Sequence, residues 1–172
     1  ILQGLDLDIS KRLGPILKKQ GIQIHTGVCV QDIVKSGQEL LVRFEGPAGP
    51  GDVSAPVVLV ATGRIPRTSQ MNLEALGVRI SRNGIEADSF GKTSVSCIYA
   101  IGDVNGQNML AHAAESQGIR AVNHILGHLN EAATFALPSA VFMFPEIAQV
   151  GLTEQQAMEK GIPCMIGRKY YM

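Results

Sequence analysis

The chain has 172 residues, 45% hydrophobic and 17% charged, which suits one folded domain or slightly more. Fifteen basic residues balance fifteen acidic ones, so the chain offers no cationic footprint for nucleic acid and no polybasic face for a membrane. Apolar runs such as Val57–Ala61 are far too short to span a bilayer, and no signal peptide opens the sequence; the expected location is cytoplasmic.

The first predicted element is a helix that Asp6 or Asp8 can cap, with Ile9, Leu13, Ile16 and Leu17 as its apolar stripe and Gly21 just past its end. Pro15 falls inside it and is expected to kink it. Extended segments follow at Ile22–His25, Val28–Val34 and Leu40–Phe44, and the Gly- and Pro-rich stretch Gly46–Gly51 reads as a turn between strands. Val57–Ala61 is apolar throughout, as expected of a strand buried on both faces of a parallel or mixed sheet. A short helix near Leu73–Leu76 and a hairpin region up to Thr93 come next. A second buried strand is predicted at Cys97–Ile101, stopping at Gly102–Asp103. The loop Val104–Asn108 then leads to a helix from about Met109 to Gly127, whose small residues Ala111, Ala113, Ala114, Gly118 and Ala121 permit close packing. Leu137–Phe144 and Ile147–Val150 read as extended. Thr153–Gln156 is a capping box opening a helix that Gly161 closes, and Met165–Tyr171 begins another strand.

Cys29, Cys97 and Cys164 stand at wide spacings with no C-x-x-C and no metal-ligand pattern, so three reduced thiols are expected. His124 and His128 share a helical spacing, but no acidic residue lies between them; a solvated or capping role outweighs a metal site.

The chemistry concentrates at the end of the Cys97–Ile101 segment. In an open α/β sheet, ligands gather at the carboxyl ends of strands. Asp103 stands at such an end, where its carboxylate can accept a hydrogen bond from a ligand hydroxyl, and Gly102 lets backbone pass close to the ligand. The helix start near Met109–Ala111 presents unpaired N–H groups and a partial positive charge. A second reading of Asp103, that it merely caps the helix, carries equal weight on these residues alone.

The run Thr93-Ser-Val-Ser-Cys-Ile-Tyr-Ala-Ile-Gly-Asp103 resembles the second FAD-binding signature of the pyridine nucleotide–disulfide oxidoreductases, and Asn108-Met-Leu-Ala-His112 resembles the flavin-facing segment of their dihydrolipoamide dehydrogenase branch. Val57-Val-Leu-Val-Ala-Thr-Gly-Arg-Ile-Pro66 is similar to the strand and turn that close the family's NAD domain. The stretch from Leu137 to Glu154 is similar to the opening of its dimerisation domain. This sequence departs from the pattern at Ala113 and Glu115-Ser116-Gln117, and at Ser54-Ala55-Pro56 just before the Val57–Ala61 strand.

The resemblance implies an α/β chain: partial FAD/NAD(P)-binding Rossmann-like domains followed by the start of an α+β dimerisation domain. The implied division is residues 1–66 for the second half of an NAD domain, 67–130 for part of an FAD domain and 136–172 for the interface domain. It implies FAD and NAD as cofactors, with Asp103, Gly102, Met109, Leu110, Ala111 and His112 on the flavin side, Gly63 approaching the nicotinamide cofactor and Val30 near that cofactor's adenosine end. It also implies a homodimer and, as partner, the lipoyl domain of a 2-oxo-acid dehydrogenase complex. No catalytic residue is assigned, because the family's redox cysteine pair and its His–Glu pair have no counterpart among these residues. Two other readings are another disulfide reductase of the same family, of mercuric or glutathione reductase type, and a non-catalytic dimerisation module.

Overall fold

A computed structural model describes residues 1–128 and 136–169. They fall into two compact units, Ile1–Ala61 with Leu152–Met172, and Thr62–Gly151. The expected mixture of helices and strands is present. Among the described residues, however, every strand pairing is antiparallel, and no parallel sheet forms.

In the first unit, α1 (Leu7–Lys19) runs unbroken through Pro15 and buries Leu13. Asp6 occupies its N-cap position but its side chain caps nothing there. Instead Asp6 Oδ1 accepts from the Glu154 N–H at 3.2 Å, and Asp8 pairs with Arg12 at 3.1 Å. The capping expectation is thus corrected: both carboxylates serve other partners. Strands β1 (Cys29–Ser36), β2 (Glu39–Gly46) and β3 (Gly49–Ala55) form one meander in the order β1-β2-β3. In β2, Leu40, Leu41 and Val42 are all half-buried, and from Val42 on the pattern alternates, with Phe44 half-buried and Arg43 and Glu45 facing solvent, as in a one-sided sheet. Arg43 pairs across the ladder with Asp32 at 3.3 Å. The predicted turn Gly46–Gly51 is tighter than expected: Gly46 pairs with Gly49 around Pro47 and Ala48, and Gly49–Gly51 belong to β3.

Two predicted strands of this unit are absent. Ile22–His25 and Val57–Ala61 carry no ladder hydrogen bonds, and Val57, Leu59 and Val60 are exposed. A strand is completed by a pairing neighbour, and among the described residues neither run pairs with a strand, although the His25 ring lies 5.0 Å from that of Phe44 on β2. Residues 162–169 are likewise irregular, so the strand expected from Met165 is not formed there; Tyr170 and Tyr171 lie outside the described residues. Helix α3 (Glu154–Glu159) opens on Thr153 with both halves of the predicted capping box made.

The second unit holds the main core. Leu73, Val78, Ile85 and Ala100 are buried together, with Ile80, Ala87, Val95, Ile98 and Val104 packed around them. Leu73 and Val78, which flank the 3₁₀ turn Glu74–Leu76, and the hairpin β4 (Ile80–Ser81)–β5 (Gly84–Ile85) contribute to it. Cys97–Ile101, expected as a buried strand, makes only a single bridge, Lys92 to Tyr99. Thr93 holds that turn, its hydroxyl donating to the Ile98 carbonyl at 2.9 Å and accepting from the Val95 N–H at 3.1 Å. Helix α2 (Ala111–Ile125) buries Ala113 and Ala121, with Ala114 and Gly118 half-buried and Ala111 exposed. The hairpin β6 (Ser139–Val141)–β7 (Ile147–Gln149) completes this unit. No helix among the described residues is long and apolar enough to cross a membrane.

Candidate functional site

The site is built where the chain leaves the core at Ala100. Ile101 is extended, and Gly102 then turns sharply with φ +72° into the 3₁₀ turn Gly102–Asn105, which Gly106 closes at φ +66°. Gly102 has two reasons to lack a side chain: left-handed backbone, and a Cβ there would stand 3.1 Å from the Ala114 Cβ on α2. A Cβ on Gly106 would collide with the Asn83 carbonyl.

A buried polar pair fixes this turn to the helix. Gln117 Oε1 accepts from the Gly102 N–H at 2.7 Å and from Asn105 Nδ2 at 2.9 Å. Asn105 Nδ2 also donates to the Ala100 carbonyl at 3.1 Å, and Asn105 Oδ1 accepts from the Gln107 N–H at 3.0 Å. Gln117 and Asn105 are both buried, and a buried amide left unpaired would cost about 1–3 kcal/mol. Sequence reading passed over both residues. Gln117 was visible only as a departure from the family pattern.

Asp103 follows on the same turn with its side chain 45% exposed, and Arg64, itself 67% exposed, places Nη1 3.1 Å from its Oδ2. Arg64 Nη2 donates to the Met109 carbonyl at 3.0 Å. The alternative that Asp103 caps a helix does not match this geometry. The N-cap position of α2 is Leu110, which has extended backbone, and no side chain caps it. The amino end of α2 therefore keeps its partial positive charge uncompensated by a capping group. His112, in the first turn, has Nε2 2.7 Å from the Pro138 carbonyl. A carbonyl can only accept, so Nε2 carries the proton in this contact.

Of the residues predicted from sequence, Gly102, Asp103, Met109, Leu110, Ala111 and His112 are thus brought into one continuous loop-and-helix entrance. Gly63 is exposed with φ +94° and open space where a side chain would stand. It immediately precedes Arg64, the residue the sequence did not single out. Val30 belongs to the other compact unit, exposed on β1 beside a bulge at Val30/Asp32.

His124 corrects a further expectation. Rather than standing solvated or capping the helix, it is half-buried, with Nδ1 2.7 Å from the Tyr99 hydroxyl and its ring stacked on Phe90 at 4.8 Å. All three cysteines are free and exposed. A cleft of about 790 Å³ opens in the first unit beside Lys11, Ile22, Ile24 and His25. Its lining holds no carboxylate and none of the predicted site residues, so the chemistry, rather than the size of the hollow, favours the Asp103 loop.

The half-exposed carboxylate, the tight glycine turn and the open helix start suit a ligand that presents hydroxyl groups and gathers negative charge, as the ribityl chain and ring of a flavin do. Comparison with known proteins agrees in kind. A family profile described as pyridine nucleotide-disulphide oxidoreductase matches residues 1–118, and one for the dimerisation domain of the same enzymes matches residues 137–171. The dihydrolipoamide dehydrogenase of Chaetomium thermophilum is 37% identical over 170 residues, covering 95% of this chain and 33% of that protein. Among solved structures, LpdA from Mycobacterium tuberculosis superposes with a TM-score of 0.77 at 28% identity, over 91% of this chain and 34% of that one. The HOCl-induced flavoprotein disulfide reductase RclA from Escherichia coli gives 0.74 at 27% identity, over 93% of this chain and 37% of its own. The chain spans about a third of the length of the curated relatives it matches.

Proposed function

The chain belongs to the pyridine nucleotide-disulphide oxidoreductase family, which works with FAD and NAD(H), and from that premise we propose that it is part of a dihydrolipoamide dehydrogenase. The reaction proposed for the whole protein is the oxidation of dihydrolipoamide by NAD to lipoamide and NADH. The observation that carries the reading is the Asp103 carboxylate, half exposed at the turn that opens onto the uncapped start of α2.

In this reading Asp103 accepts a hydrogen bond from a ribityl hydroxyl, and Gly102 keeps the backbone clear of it. Met109, Leu110, Ala111 and His112 line the ring, and the amino end of α2 stabilises its negative charge by about 1 kcal/mol, rising to about 2 where the end is partly buried. Gly63 is proposed to approach the nicotinamide cofactor, and Val30 is proposed for its adenosine end. The redox chemistry is what FAD supplies when bound. The segment from Leu137 onward serves a homodimer, supported by the dimerisation-domain match, and a lipoyl domain is the proposed macromolecular partner. The proposed domain limits are residues 1–66, 67–130 and 136–172. A reducing cytoplasmic setting fits the three free, exposed thiols.

The reading is tested on the coding sequence around these residues. A G-x-G-x-x-G turn and a C-x4-C pair upstream in the same frame are expected, and the encoded protein should carry FAD and reduce NAD with dihydrolipoamide. A flavin-free protein would sink the proposal. The 172 residues by themselves contain no G-x-G-x-x-G turn to seat a pyrophosphate. We expect them to purify colourless, and a stoichiometric yellow complex would contradict that. The likeness to RclA supports a second reading, a reductase for another disulfide. Turnover of oxidised glutathione or another disulfide in preference to lipoamide decides between them.

A further inference from the structure

Arg64 makes two contacts with one planar group. Nη1 engages Asp103 Oδ2 at 3.1 Å, and Nη2 donates to the Met109 carbonyl at 3.0 Å. Asp103 and Met109 stand on either side of the loop that leads into α2, and Arg64 reaches the second of them across 45 residues of sequence. A guanidinium is a rigid fork, so engaging both acceptors fixes the distance between them in a way a flexible ammonium cannot.

The side chain is largely exposed, and exposed ion pairs contribute little to stability. Its contribution is therefore to placement. With Oδ2 held by Arg64, Oδ1 is the carboxylate oxygen left for a ligand hydroxyl. With the Met109 carbonyl turned onto Nη2, one partial negative charge near the open end of α2 is neutralised, which keeps that end favourable to an anionic ring.

We propose that Arg64 is a positioning residue of the flavin site, holding the Asp103 carboxylate and the Met109 carbonyl in fixed relation so that ribityl hydroxyl and ring meet their partners together. This role rests on the flavin reading given above. Arg64 directly follows Gly63, so the same fork also ties the nicotinamide-side turn to the flavin-side loop.

The test uses Arg64→Gln and Arg64→Lys in the longest polypeptide that the coding sequence around these residues specifies, stripped of flavin and titrated with FAD by fluorescence. Both variants are expected to bind FAD about tenfold more weakly or worse, with Lys giving no rescue because one ammonium does not bridge both acceptors. The flavin-free variants should melt within about 2 °C of the parent, as loss of an exposed pair allows. The amides of Ala111–Ala113 should exchange faster in both. Parent-like FAD affinity in the two variants overturns the role and leaves the flavin reading intact. Full rescue by Lys reduces the contact to a charge and overturns it too, as does a variant that unfolds before FAD is added. A parent protein with no affinity for FAD removes the flavin reading itself, and this role with it.

Discussion

At the scale of single residues, the site depends on positions where substitution has more than one cost. Gly102→Ala places a side chain on left-handed backbone, roughly 1–2 kcal/mol by itself, and presses it against Ala114. We expect a total loss of about 1–3 kcal/mol in a denaturant titration. Gln117→Leu keeps the volume but removes the acceptor for Gly102 N–H and Asn105 Nδ2. Leaving the Gly102 N–H unpaired and Asn105 Nδ2 with the Ala100 carbonyl alone should cost about 1–3 kcal/mol, and a variant within about 0.5 kcal/mol of the parent would show the amide pair to be dispensable. Asp103 and Gly102 were legible in the sequence because a carboxylate after a Gly at the end of an apolar run is a local pattern. Arg64, Asn105 and Gln117 were not, since their partners lie up to 45 residues away and nothing in a window of neighbours announces the pairing.

Among the elements, the same division holds. The capping box of α3 was read correctly from Thr153 to Gln156, because donor and acceptor sit three residues apart and need no other part of the chain. Thr153→Ala should cost about 1 kcal/mol and speed amide exchange in α3 about fivefold; unchanged exchange would show that Ala157 burial alone holds the helix. The hairpin at Ile80–Ile85 and the small-residue face of α2 were legible for similar reasons. The runs Ile22–His25, Val57–Ala61 and Cys97–Ile101 were not, because β-branched composition advertises a strand but only a neighbouring strand makes one. β3 was missed in the opposite sense. Gly49, Pro50, Gly51 and Asp52 look like turn material, yet pairing with β2 draws them into a ladder.

For the molecule as a whole, composition is that of a well-filled globule, but the described residues leave large apolar side chains in solvent. Leu59 is 87% exposed and Phe142 89%, and Val57, Val60, Ile65 and Phe144 are exposed as well. Such surface promotes association. Purified by itself, the 172-residue chain should therefore enhance the fluorescence of an apolar dye and run as dimers or larger species in light scattering at micromolar concentration. A dye-silent monomer would contradict this.

The hydrogen bond from His112 to the Pro138 carbonyl has a mechanical corollary. It works as a linkage rod: one end is the ring on the first turn of α2, the other is the backbone just before β6, so a shift of either is transmitted to the other. The rod also fixes which ring nitrogen is bare. ¹⁵N spectra should find the Nε2–H tautomer, with Nδ1 bare.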